Sequence, residues 1–137
     1  LYSSAASDVY KRQVLDRARR EGMVQTIFGR RRYFPDMNSR NGQLRQIAER
    51  MAFNTVFQGS AADIIKIAMI DVHAGLKKVS PEARLLLQVH DELVVEAPVG
   101  EAEKVSAFLK ERMESAVQLD VPLVVDVGQA PDWAAAH

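Results

Sequence analysis

The 137 residues include no cysteine, one tryptophan, few aromatic side chains (7%) and no net charge at neutral pH. Without cysteine, neither a disulfide framework nor a thiolate metal site can form. No apolar run approaches the ~20 residues a membrane helix needs, and no signal-peptide pattern is found. The cytoplasm is therefore the expected compartment, and no membrane partner is expected. A chain of this length supports one domain. There are no internal repeats or low-complexity segments.

The charges cancel only in total. Val14–Arg50 holds nine arginines and no lysine against four acidic residues, a local balance of +5. From Met51 onward seven basic residues stand against thirteen acidic ones, a balance of −6. The first stretch suits a polyanion and the second divalent cations, although scattered charges of either sign also arise as solvated surface. Arg30-Arg31-Arg32 is the stronger candidate for a polyanion contact.

Two apolar runs, 85–89 and 93–97, flank His90-Asp91-Glu92. Each has strand length and apolar residues on both alternating faces, which predicts buried strands. Antiparallel pairing leaves His90 and Asp91 as a tight hairpin loop. Carboxylates at such a tip are costly unless a metal, a cation or solvent meets them. Upstream, 14–20 reads as the end of a helix stopped near Gly22. Residues 23–28 alternate apolar and polar before an arginine-rich turn and Tyr33-Phe34-Pro35, the pattern of a short hairpin.

Residues 43–58 predict a helix with Leu44, Ile47, Ala48, Met51 and Ala52 on its core face. Gln46, Arg50, Asn54 and Gln58 recur every four residues on another face. Spacing alone leaves open a solvated face or a row of donors for groove edges and phosphates. Gly59 is expected to break this helix, with Ser60 and Asp63 as a capping-box-like start to a core helix over 61–78. His73 reads as a surface histidine. Residues 101–117 predict an amphipathic helix with Val105, Phe108, Leu109, Met113 and Ala116 inward. Residues 121–127 predict a third strand entered near Pro122, and Trp133 a seal on the core. Together these predict an α+β fold, an antiparallel sheet of strands 84–89, 92–97 and 121–127 packed on helices 61–78 and 101–117.

Three separated blocks carry a resemblance: Thr26-Ile-Phe-Gly-Arg-Arg-Arg-Tyr-Phe-Pro35, then Glu49-Arg-Met-Ala-Phe-Asn54 with Gln58-Gly-Ser-Ala-Ala-Asp63, and His90-Asp91-Glu92. In this order they resemble the DNA polymerase I family (family A) from Val14 to His137. The resemblance implies a C-terminal palm part over 43–137 and a fingers-derived helix and hairpin over 14–42. Residues 1–13 stand outside it. There, Asp8-Val-Tyr-Lys-Arg-Gln13 looks like translated transposase-adapter sequence, and a non-native, disordered tail is expected.

The implied activity is template-directed DNA synthesis by two-metal phosphoryl transfer to a primer 3′-hydroxyl, in replication or repair. The implied partners are primer–template DNA and deoxynucleoside triphosphates. The implied cofactor is Mg2+, two ions in a complete enzyme that is expected to be monomeric. On the family's motif Asp91 is the catalytic carboxylate that holds metal, with Glu92 a secondary or water-mediated contact. His90 matches a residue beside the primer end, and Gln88 lies on the adjoining strand. Arg50, Asn54 and Gln58 fall on positions that contact the primer–template minor groove, expected on the same side as His90. Arg30, Arg31 and Arg32 are further candidate DNA contacts. Minor-groove acceptors occur on every correct pair, so such contacts sense pairing geometry without reading sequence.

Two parts of the family's machinery have no counterpart in this sequence. No Asp-Tyr-Ser-Gln-Ile-Glu stretch supplies the second catalytic aspartate, and no fingers helix supplies the Arg, Lys and Tyr that bind the incoming nucleotide. The chain alone is therefore expected to be inactive. A metal-dependent nuclease or phosphohydrolase would need a second regularly spaced carboxylate or histidine set, and none is found. A non-catalytic DNA-binding module would need only the arginine segment and the stripe from Gln46 to Gln58.

Overall fold

A computed structural model describes residues 3–136. Leu1, Tyr2 and His137 lie outside them. The α+β expectation holds, in two compact units that divide between Asp63 and Ile64.

In the first unit, helix α1 (Ser3–Glu21) runs through the residues expected to form a disordered tail. Alanine, lysine, arginine and glutamine favour helix in this stretch. Side-chain contacts add to that preference: Tyr10 meets Phe57 edge-on at 5.9 Å, and Lys11 Nζ stands 5.5 Å from the Phe53 ring centroid. The helix stops at Gly22, whose φ of +67° costs a glycine no Cβ clash, and whose amide donates to the Ala18 carbonyl.

Strands β1 (Met23–Gln25) and β2 (Arg31–Tyr33) pair antiparallel, with Val24 opposite Arg32. The turn between them covers 26–30, so Arg31 and Arg32 lie on a strand and not in the turn. A 3-10 turn (Pro35–Asn38) leads to helix α2 (Gly42–Val79). Asn41 caps α2 by accepting from the amides of Gln43 (3.0 Å) and Leu44 (3.5 Å).

The expected break at Gly59 does not occur, and α2 is continuous for 38 residues. One glycine costs a helix only about 1 kcal/mol, less than ending and restarting it. Ser60 is not a cap. Its hydroxyl donates to the Val56 carbonyl (2.5 Å) and accepts from the Ile27 amide (3.0 Å).

The core of this unit is Leu15, Ala18, Val24, Phe34, Met37, Ala48, Ala52 and Val56. The expected core face of α2 is thus rotated. Ala48 and Ala52 are buried, while Leu44, Ile47 and Met51 keep 41–44% of their surface exposed. The small side chains let neighbouring backbone approach closely, which turns the longer ones to the flank. Arg19 ties α1 to α2 through Glu49 (2.7 Å) and also pairs with Asp16 (3.0 Å). The bond to Glu49 is the largest cause of its raised pKa.

In the second unit, β3 (Arg84–Val89) and β4 (Glu92–Glu96) form the expected antiparallel hairpin. Pairing shifts by one residue between Leu85 and Leu87, making Leu86 a bulge. The hairpin packs on α2 and α3 (Ala102–Glu114) around Val72, Leu76, Ala83, Val105, Phe108 and Leu109. Gly75 admits the Phe108 ring, because a Cβ there would stand 2.7 Å from Phe108 Cζ.

Four expectations fail in this unit. The strands are not buried on both faces, since Leu86 and Leu87 stay 52% and 42% exposed. Ala116 lies beyond the end of α3, and Trp133 is 48% exposed and not part of the core cluster. Residues 121–127 do not form a third strand. Their β propensity finds no strand edge: the Val125 amide donates to Glu114 Oε1 (3.0 Å), and its carbonyl accepts from Lys110 Nζ (3.1 Å). Side chains of α3 have taken the groups a neighbouring strand would have used.

Candidate nucleic-acid interface and carboxylate turn

The hairpin tip is built as the sequence predicts. Val89 pairs with Glu92, which leaves His90 and Asp91 as the loop. His90 adopts φ +52°, left-handed backbone that histidine enters more readily than most residues. Gln88 holds it there: its side-chain amide donates to the His90 carbonyl at 2.8 Å. Gln88 therefore shapes the turn, a role that spacing alone did not reveal. His90, Asp91 and Glu92 are all exposed, and the Asp91 carboxylate has no side-chain partner among the described residues.

An exposed carboxylate on a tight turn fits one-ligand attachment of a hard cation such as Mg2+, which uses one or two protein carboxylates together with substrate phosphates. Among the described residues no group of three His, Asp or Glu stands ready to hold an ion. The turn by itself is therefore not a complete ion site among the described residues.

The other candidates belong to the first unit. Gln46, Arg50, Asn54 and Gln58 are exposed along α2. The three arginines of the basic run have different surroundings. The Arg30 Nε pairs with Asp63 Oδ1 at 2.8 Å, and its Nη2 donates to the Gly59 carbonyl at 3.1 Å. The Arg32 Nη1 donates to Thr55 Oγ1 at 3.1 Å, and its guanidinium lies 5.0 Å from the Phe34 ring centroid. Arg31 makes no hydrogen bond or ion pair among the described residues and projects from the opposite face of β2 to Arg32.

Sequence reasoning missed the cluster that holds this hairpin to α2: Thr26, Gly59, Ser60 and Asp63. Its signal was the small-residue run Gly59-Ser60-Ala61-Ala62, which admits close backbone approach and was taken for a helix break.

The described residues thus offer a basic hairpin held on a long helix and, elsewhere in the chain, an exposed carboxylate turn. A family model described as DNA polymerase family A matches residues 4–135. The chain belongs to that family. It is 52% identical over 129 residues to DNA polymerase I of Mycobacterium leprae, covering 93% of this chain and 14% of that protein. It is also 52% identical over 124 residues to the thermostable DNA polymerase I of Thermus thermophilus, covering 90% of this chain and 15% of that one. Among solved structures it resembles the POL domain of Pol1 from M. smegmatis in complex with DNA primer-template and dNTP. The TM-score there is 0.89 at 49% identity, over 94% of this chain and 23% of that one. The chain thus spans about one seventh of the length of the curated relatives it matches.

Proposed function

We propose that this chain supplies palm and primer–template-contacting parts to a longer polymerase that carries out template-directed DNA synthesis in replication or repair. The observation that carries the reading is the hairpin tip, where an exposed Asp91 follows a left-handed His90 inside a family A chain. Asp91 would be the metal-holding carboxylate and Glu92 its secondary contact. Mg2+ held there would supply Lewis-acid activation of the primer hydroxyl and charge neutralisation for the leaving pyrophosphate. His90 would flank the primer end, and Gln88 would fix the turn that aims both side chains.

Arg50, Asn54 and Gln58 would read minor-groove acceptors, with the basic hairpin on the phosphates. The proposed division is a fingers-derived segment over 14–42 and palm over 43–137, and the family match from residue 4 onward speaks against a non-native tail over the whole of 1–13. The complete enzyme would act as a monomer on primer–template and deoxynucleoside triphosphates, in the cytoplasm. The chain alone would not extend a primer, because it lacks the partner carboxylate motif and the nucleotide-binding helix.

The test pairs extension with binding in the longer polymerase. Asp91→Asn should cut Mg2+-dependent extension by ~10²-fold or more while primer–template affinity holds. Near-normal turnover in that variant would remove Asp91 from the site. A binding module without catalysis would show affinity and no incorporation in the wild-type longer chain.

A further inference from the structure

We propose that Asp63 is a positioning residue for DNA binding: it holds Arg30 so that one edge of the guanidinium is presented to a backbone phosphate. The inference rests on the reading of the basic hairpin as a DNA contact and assigns a role within it.

The Arg30 side chain reaches α2 through one edge only. Nε pairs with Asp63 Oδ1 at 2.8 Å, and Nη2 donates to the Gly59 carbonyl at 3.1 Å. A guanidinium carries five N–H donors in a planar fork. The internal contacts leave the opposite edge, Nη1 and the second Nη2 hydrogen, on a side chain that is still 52% exposed. That edge matches two oxygens of a phosphodiester, and its orientation is set before DNA arrives. A free surface arginine would lose rotamer freedom on binding, and this one has already lost it.

The turn behind Arg30 is fixed by the same stretch of α2. Ser60 Oγ accepts from the Ile27 amide, and Gly59 leaves room for Thr26 Cγ2. Asp63 is only 11% exposed, and its Oδ2 is buried without a hydrogen-bond partner. Arg30 is thus its one described cation. A half-satisfied buried carboxylate adds little to stability, because desolvation offsets the attraction. Its effect is geometric.

Charge and position predict opposite results at this residue. Asp63→Asn removes a negative charge beside the DNA, which by charge alone tightens binding. If Asp63 positions Arg30, the same change weakens it. The measurement is fluorescence anisotropy of labelled primer–template with the longer polymerase at several salt concentrations, alongside extension kinetics.

Asp63→Asn should raise Kd and the KM for DNA about three- to tenfold, with the loss read there and not in kcat. Arg30→Ala should do the same and lower the salt slope by about one. The double variant should be no worse than Arg30→Ala alone. Unchanged or tighter binding by Asp63→Asn, or additive losses, overturns the proposal. If Arg30→Ala weakens binding and Asp63→Asn does not, only the positioning role falls. If Arg30→Ala has no effect while Arg50→Ala weakens binding, the proposal falls and the α2 interface stands. If neither arginine matters at any salt, the DNA-interface reading falls as well.

A second pair avoids reliance on Asp63→Asn folding. Gly59→Ala places a methyl 2.8 Å from Thr26 Cγ2 and should push the turn away, weakening binding. Thr26→Ser removes that methyl and keeps the hydroxyl, so adding it should restore affinity. Failure to restore it overturns the proposal.

Discussion

At the scale of single residues, two positions show how little space decides. Gly75 exists because Phe108 occupies the volume a Cβ would need, 2.7 Å from the ring. Gly75→Ala should therefore destabilise the chain by about 1–3 kcal/mol, although alanine is the better helix former. Chemical denaturation checks this, and Phe108→Leu added to Gly75→Ala should recover part of the loss. Arg50 differs in kind. It is exposed, and no hydrogen bond or ion pair holds it among the described residues. Arg50→Ala should leave the fold intact and weaken primer–template binding of the longer polymerase across sequences. The salt slope should fall by about one. Unchanged affinity at every salt concentration would falsify its DNA contact.

At the scale of elements, the entry into α3 is secured by charge. Ser80 Oγ donates to Glu101 Oε2, and Lys104 Nζ donates to Glu101 Oε1 at 2.6 Å. Lys104 first, and Ser80 second, hold the Glu101 carboxyl below the usual glutamate range. A depressed folded pKa means that the ionised form is favoured by folding. The stabilisation is therefore complete above the ordinary glutamate pKa of ~4.3 and is lost as pH falls through the lower folded value. Glu101→Gln should lower the melting temperature at neutral pH, and the gap to wild type should close on acidification below about pH 4. A gap independent of pH would mean that the contact is packing alone. The extended segment after α3 follows the same logic, since its backbone is satisfied by Glu114 and Lys110 in place of a strand.

At the scale of the whole molecule, the chain spans about one seventh of its curated relatives and leaves apolar side chains open, among them Leu44, Ile47, Met51, Leu86 and Leu87. In the proposed polymerase these would be covered by segments outside this sequence. Activity follows the same division. On the proposed reading, Asp91 with Glu92 would not by itself hold two hydrated Mg2+ ions. Without the nucleotide-binding helix the triphosphate also loses in-line positioning, which can supply ~7–11 kcal/mol of a barrier. The purified 137-residue chain should therefore give no detectable primer extension, while the longer polymerase does. Extension by the chain alone would place the active site elsewhere.

What the sequence determined by itself was whatever local periodicity specifies. Two apolar runs of strand length with a tight loop between them specified the hairpin and put Asp91 at its tip, but not the bulge at Leu86. A 3.6-residue period put Val105, Phe108 and Leu109 on one side of α3. The motif order carried the family. Tertiary structure decided the positions where local preferences are nearly balanced. Gly59 costs a continuing helix only about 1 kcal/mol relative to alanine, too little by itself to end it. The choice was set by Thr26 and Ile27, the latter bonded to Ser60 from 33 positions away. Residues 121–127 had the composition of a strand and no edge to join. Arg30 and Arg32 read as equals of Arg31 until folding brought Asp63, Gly59 and Thr55 against them. Side-chain pairing over such separations leaves no period in the sequence, because the contact is fixed by packing and not by spacing along the chain.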